Sequence, residues 1–278
     1  MTLNVFLKIP GSFIFLRHRF WKRGGMGERK ILFAIAESCP FDALLVRQMR
    51  QSVDSLLQLN LRRFRIPQQN LAKYSALDIV KQALELLFEF SPSGKNYREA
   101  MRTIQVYSEG DTEMLRTIQA SFRLIANAVY NAYTGQRHAE ALAPSTLFLQ
   151  GIPFDEGELQ KSFRFVGVRP PEIKPPSVKK TVYLDEGFDA YKALLEEKIT
   201  LPKAEVGRDE HWADVIKGNI DANGKNLIRV GSNHIQPRGF FDKLSGSTTG
   251  KLPELIGRYG IDVSVIGRVA DVNRVFGR

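Results

Sequence analysis

Apolar positions along this chain follow two rhythms, and the switches between them mark its elements. "ILFAIA", Ile31 to Ala36, is an unbroken apolar run, the pattern of a strand buried on both faces of a parallel sheet. In "ESCPFDALLVRQMRQSVDSLLQLNL" the apolar residues instead recur at Phe41, Leu45, Met49, Val53 and Leu56 or Leu57, a helical spacing with Pro40 near the first turn. Strand, tight loop and helix make half of a βαβ unit.

The middle of the chain keeps the helical rhythm. "SALDIVKQALELLFEF" (Ser75 to Phe90) has a capping candidate in Ser75, with Asp78 three positions on, and an apolar face through Leu77, Val80, Ala83, Leu84 and Leu87. "SPSGKN" interrupts it. From about Asp111 to Ala141 a further helix or pair of helices carries Leu115, Ile118, Phe122, Ile125, Val129 and Tyr133 on one stripe, which we read as core packing. "FRFVGVRPPEIKPPSVKK" holds Pro170, Pro171, Pro175 and Pro176 and continues neither a helix nor a central strand. It reads as an extended connector over 168–178, closing a helical insertion of about 66–165. Binding of a proline-recognising module is its less common use.

The last hundred residues return to mixed order. "DEGFDAYKALLEEKI" and "HWADVIKGNIDANGKN" predict amphipathic helices, the second with Trp212, Val215, Ile216 and Ile220 inward and the Asn223-Gly224 pair ending it in left-handed geometry. Leu227 to Val230 is a buried strand. "GKLPELIGRYG" is a short helix with Pro253 in its first turn and Gly260 at its end, and "IDVSVIGRV" is one more strand. This alternation predicts an α/β fold, a parallel, doubly wound sheet with a large helical insertion, as a single domain over 29–278.

Composition narrows the function classes. With 278 residues and 43% hydrophobic content the chain can fill one large core. Its lone cysteine, Cys39, excludes an internal disulfide and a multi-cysteine zinc site, and a reducing cytoplasm is the expected location. No apolar run approaches the roughly 18 residues that cross a bilayer, so no transmembrane segment is expected. Residues 1–28 contain short apolar pieces broken by Lys8, Pro10 and Gly11, followed by a basic stretch without a small-residue cleavage pattern. They make a poor signal peptide and are expected to form a basic, poorly ordered arm. The net charge of +10 is clustered at Arg17 to Lys30, at Arg62, Arg63 and Arg65 around Phe64, and at Lys174, Lys179 and Lys180. Basic residues with an aromatic are what nucleic-acid surfaces use. A solvated helix end explains the cluster around Phe64 as well. No helix-turn-helix, zinc-finger or RNA-binding signature accompanies the charge, and nucleic acid is the less favoured partner.

Chemistry in such a sheet collects where strands hand over to helices. One such loop begins with Glu37, followed by Ser38 and Cys39; another is "GSNHIQPRG", Gly231 to Gly239. If the two strands are neighbours, Glu37 and His234 share a rim, as an acid/base pair or as two ligands of a divalent metal. Gly231 would allow a sharp turn and a close approach. Taken singly, Glu37 equally suits a helix start accepting backbone hydrogen bonds, and His234 a loop residue packed on the sheet edge. "GSTTGK", Gly246 to Lys251, departs from a phosphate-binding loop in its glycine spacing and in Leu252, and reads as a flexible loop or lid beside His234.

The motif Gly231-Ser232-Asn233-His234 at a strand end resembles the Gly-x-x-His motif of the superfamily containing erythromycin esterases, ChaN-type haem-binding proteins and Tiki proteases. "GRDEHWADVI" is similar to that family's arginine-led helix, in Arg208-Asp209, Ala213 and Ile216, and Ala36-Glu37-Ser38 resembles its N-terminal Gly-Glu motif. The resemblance covers about 40 residues at each end. It implies a hydrolase, esterase- or metalloprotease-like, or a small-molecule-binding protein, acting on a small molecule or peptide in a cleft over the sheet. His234 would be general base or metal ligand, Glu37 its carboxylate partner, and Arg208, Asn233 and Cys39 would contact substrate. Any metal would be divalent, on Glu37 and His234. Where the family continues to a histidine two or three positions after its glutamate, this chain has Cys39 and Pro40. Cys39 near a helix start could replace it as ligand or nucleophile, or simply be buried. His211, three residues after Arg208, is a further candidate against a helix-surface role. The missing histidine gives the second expectation, a catalytically inactive binding or regulatory protein on the same scaffold.

Overall fold

The computed structural model describes residues 4–9, 12–17, 30–63, 75–88, 94–107, 112–170, 172–235 and 250–269. The chain divides into two compact units, Met1–Pro40 with Thr134–Pro153 and Glu172–Val269, and Phe41–Tyr133 with Phe154–Pro171 and Ala270–Arg278.

The first unit is built on a parallel sheet of β3 (Lys30–Glu37), β4 (Thr146–Leu149), β5 (Lys180–Tyr183), β6 (Asn226–Gly231) and β7 (Ile261–Val269), in the order β5-β4-β6-β3-β7. The fold is therefore α/β, as the apolar runs imply. Two further strands, β1 (Asn4–Ile9) and β2 (Ser12–Arg17), pair as an antiparallel hairpin within the stretch read as a poorly ordered arm; the rest of residues 1–28 lies outside the described residues. Strand β4 falls inside the range read as helical insertion. It is only four residues long, all of them buried, and its "TLFL" follows directly on a long helix, so its apolar run blends into the preceding helical stripe.

Alternation along the strands sorts their side chains onto two faces. On one face Ala34 and Ala36 of β3, Phe148 of β4, and Ile228 and Val230 of β6 form a core with helices numbered in chain order α8 (Arg208–Asn219) and α10 (Leu252–Gly257), through Trp212, Ala213, Ile216, Leu252 and Ile256. The opposite parity sends Glu37 of β3 and Arg229 of β6 to the other face. There the last turns of α4 (Thr112–Leu142) bring Gly135 against both of those side chains. In the register Glu37 pairs with Gly231 on one side and Val269 on the other, so β3, β6 and β7 end level. The remaining elements of this unit are α6 (Asp189–Leu195), α7 (Leu201–Ala204) and the single turn α9 (Ser232–Ile235). Residues 168–170 and 172–178 form no helix or strand, as their prolines require.

One predicted helix end is corrected. Helix α8 stops at Asn219, where Ile220 turns to an extended conformation, and Gly224 is not left-handed. Asn223-Gly224 belongs instead to a turn held by Asn226, whose amide donates to the carbonyls of Asp221 and Gly224. A side chain on Gly224 would run into Asp221 and Ser145, which is the reason for glycine there. Gly260 does close α10 with φ +73°.

The second unit is helical, with α1 (Ala43–Arg63), α2 (Ala76–Phe88), α3 (Gly94–Tyr107), the first part of α4, and α5 (Glu156–Phe165). It starts at Phe41. Ile118, Phe122, Ile125 and Val129 are buried as the stripe predicts, and Ser75 and Asp78 exchange the hydrogen bonds of a capping box. A groove of about 470 Å³ between α1 and α4 is lined by Gln48, Ser52, Arg116 and Ser121 among others; it joins no acid/base pair.

Candidate functional site

Strand β6 ends at Gly231 and the chain enters α9 at the next residue, so His234 stands within one turn of a strand end. Gly231 N–H donates to the Gln150 Oε1 at 2.8 Å, and this side chain fills the space a Cβ on Gly231 would approach. His234 is 4% exposed, with its ring 4.3 Å from the Trp212 indole, centroid to centroid. Its Nδ1 lies 2.5 Å from Asp209 Oδ1, and its Nε2 lies 3.3 Å from Glu205 Oε2. The other Asp209 oxygen accepts the Lys251 backbone N–H at 2.8 Å, fixing the carboxylate.

From Glu205 the group continues to Arg208, whose Nη1 donates to Glu205 Oε1 at 2.6 Å. The same guanidinium grips Asp185 with two hydrogen bonds of 2.7 Å, from Nε to Oδ1 and from Nη2 to Oδ2. Asp185 also accepts from Trp212 Nε1 at 2.9 Å and from Gly151 N–H at 2.7 Å. The faces of Tyr191 and Trp212 each lie 4.7 Å from Arg208 Cζ. Burial works against this charge, but the hydrogen bonds and charge of Asp185, and then of Glu205, outweigh it and raise the guanidinium's pKa above its ordinary value. One arginine, one imidazole and three carboxylates thus share a site at the strand ends.

Glu37 belongs elsewhere. Its Oε1 accepts from Arg229 Nε at 2.9 Å and from Nη2 at 2.7 Å, with both side chains at most 2% exposed. A Cβ on Gly135 of α4 would collide with this pair. His138, one turn further along α4, packs against Gly267 of β7, and its Nδ1 is buried with no hydrogen-bond partner among the described residues. Burial, and secondarily the charge of Arg229, lower the His138 pKa.

The expected partnership is therefore corrected: the partners of His234 are Asp209 and Glu205, on the α8 face, while Glu37 is committed to Arg229 on the α4 face. Arg208 does join His234, through Glu205. Asn233 is exposed, Cys39 is half-buried after β3, and His211 stacks on Phe188 at 5.0 Å. The loop Gly246 to Lys251 falls outside the described residues up to position 249. The side chains of Arg17 to Arg29 and of Arg62, Arg63 and Arg65 lie outside them too, while Lys179 and Lys180 are exposed. Among the described residues no group of three or more His, Cys, Asp and Glu side chains is arranged to hold a metal ion, and no helix is long and apolar enough to cross a membrane. In particular, Glu37 and His234 lie on different faces and do not fit a shared ion.

The sequence reading passed over Asp185, Glu205 and Arg229, and gave Asp209 no role of its own beside Arg208. Arg229 carried a signal, since a lone arginine inside the apolar run "LIRVG" needs a buried counter-charge. Asp209 adjoins Arg208 but looks like an ordinary acidic first turn. No protein-family model, curated protein or solved structure matches this chain.

Proposed function

We propose that the chain is a small-molecule-binding protein, on an α/β scaffold resembling that of the erythromycin esterase, ChaN and Tiki superfamily, that holds its ligand beside His234 without hydrolysing it. The observation that carries this reading is that both ring nitrogens of His234 face carboxylate oxygens. Asp209 and Glu205 thereby cover both nitrogens of the ring. A general base must instead direct a lone pair at the proton it removes. The departure at Cys39 and Pro40 from the family's first motif points the same way, and Glu37, the other residue of the resemblance, is bound to Arg229. Arg208 and His234 are held in place by Asp185 and Asp209, which suits recognition.

The test is a panel of esters, short peptides and their hydrolysis products, run with wild type and His234→Ala. We expect binding, read by thermal shift, that the substitution abolishes, and no turnover that depends on His234. Hydrolysis lost in His234→Ala would overturn the proposal in favour of the hydrolase reading. One observation favours that alternative: the Asp209 contact is much the shorter of the two, the form of a carboxylate orienting an imidazole, and departure of Glu205 would bare Nε2.

A further inference from the structure

Glu205 occupies the site described above in the way a ligand would. Its two oxygens are divided between two groups: Oε1 accepts from Arg208 Nη1 at 2.6 Å, and Oε2 lies 3.3 Å from His234 Nε2. The span bridged is the one between the two oxygens of any carboxylate. Resting on the binding reading, we propose that Glu205 is an internal stand-in for the ligand, and that the ligand is a small carboxylic acid whose carboxylate displaces Glu205 from Arg208 and His234.

Three features separate Glu205 from the other acids of the group. Its side chain is 16% exposed, against 0% for Asp185 and 1% for Asp209. It stands just past α7, a helix of a single turn, and two residues before Gly207, whose φ of +74° suits glycine although a Cβ there would meet nothing within 4 Å. Leu201 and Val206 on the same segment are 48% and 60% exposed, and of the α7 side chains only the small Ala204 is buried, so its apolar anchoring is small. The two groups it contacts, by contrast, do not depend on Glu205. Arg208 keeps its fork on Asp185, and His234 keeps Asp209 and the Trp212 face. Exchanging one carboxylate for another leaves the buried charge unchanged, so the incoming acid meets no uncompensated ion.

Two consequences follow for affinity. A ligand carboxylate competes with Glu205, so its apparent dissociation constant is the intrinsic one divided by the fraction of molecules with Glu205 swung away. Removing the internal competitor tightens binding by that factor.

Sodium acetate, titrated into the full chain at constant ionic strength against chloride, tests this. The readouts are the NMR signals of the His234 ring and the Trp212 indole N–H in wild type and Glu205→Ala. We expect saturable shifts in both proteins, with acetate bound about tenfold or more tighter by Glu205→Ala. Absence of a saturable shift in wild type, or equal affinity in the two proteins, overturns the proposal. Should Glu205→Ala not fold, Glu205→Gln, which keeps the volume and removes the charge, is read by the same criteria. The two readings fail separately: binding of a ligand without a carboxylate, abolished by His234→Ala, would uphold the binding reading and overturn this proposal.

Discussion

The same end of one sheet carries two buried ionic groups, on opposite faces, and they are built differently. On the α4 face Glu37 and Arg229 form a closed pair whose side chains are 0% and 2% exposed, pressed by Gly135. On the α8 face the group branches from Asp185 through Arg208 and Glu205 to His234 and Asp209, and one member, Glu205, reaches solvent at 16% exposure. Removing either partner of this pair strands a charge in the core. A branched group with one exposed member can exchange that member while the rest keep their partners. The comparison teaches that resemblance to a catalytic motif, which covers Glu37 and His234 alike, does not assign a role; the partners do.

The largest effect should come from splitting the closed pair. Arg229→Met or Glu37→Gln is expected to cost about 3–5 kcal/mol in denaturant unfolding, whereas the double replacement Glu37→Leu with Arg229→Met is expected near wild type. A single variant costing less than about 1 kcal/mol would show that Glu37 is solvated and return it to the list of functional residues. Next in size is Gly135→Ala. Its methyl would run into Arg229 and lie 2.6 Å from Glu37 Oε1, and neither end can swing away without opening the pair, so a loss of about 1–3 kcal/mol is expected. An unchanged midpoint would mean that α4 sits looser on this face than the packing implies. His138 supplies a pH test of the same face. Because burial and Arg229 lower its pKa from 6.5, the unfolded chain takes up a proton that the folded chain refuses. Its contribution is fully present above pH 6.5 and is lost as pH falls below that value. Unfolding measured at about pH 7.5 and about pH 5.5 should lose stability in wild type and less in His138→Gln.

How much of this the sequence carried depends on what each residue answers to. Local rhythm was enough for β3, β6, β7 and the buried stripe of α4, since Ile31 to Ala36 and Ile118 to Val129 declare their burial by spacing alone. Strand β4 was hidden because four residues are too few to establish a period of their own, and Lys180–Tyr183 because it opens on a lysine beside a proline-rich run. His234 was legible as a candidate from its strand end, and Arg208 from the resemblance of its helix to a family motif. Their partners Asp185, Asp209 and Glu205 were not, nor was the Glu37–Arg229 pair, because these are chosen by which face a side chain takes after the strands have paired. A change of parity by one residue along β3 would have turned Glu37 towards Trp212 instead of Gly135.

The smallest effect sharpens the comparison most. Glu205→Gln removes a charge that contacts both Arg208 and His234, as Glu37→Gln removes one that contacts Arg229. If contact alone set the cost, the two changes would be equal. We expect instead about 1 kcal/mol or less for Glu205→Gln in the same denaturant experiment, because Arg208 remains doubly bonded to Asp185 and His234 remains on Asp209, so no ion is stranded. A loss of about 3 kcal/mol or more would make Glu205 as structural as Glu37 and erase the distinction between the two faces. A small loss accompanied by tighter acetate binding would instead place the exchangeable position of this sheet at Glu205, since only a member that the fold does not need can be given up to a ligand.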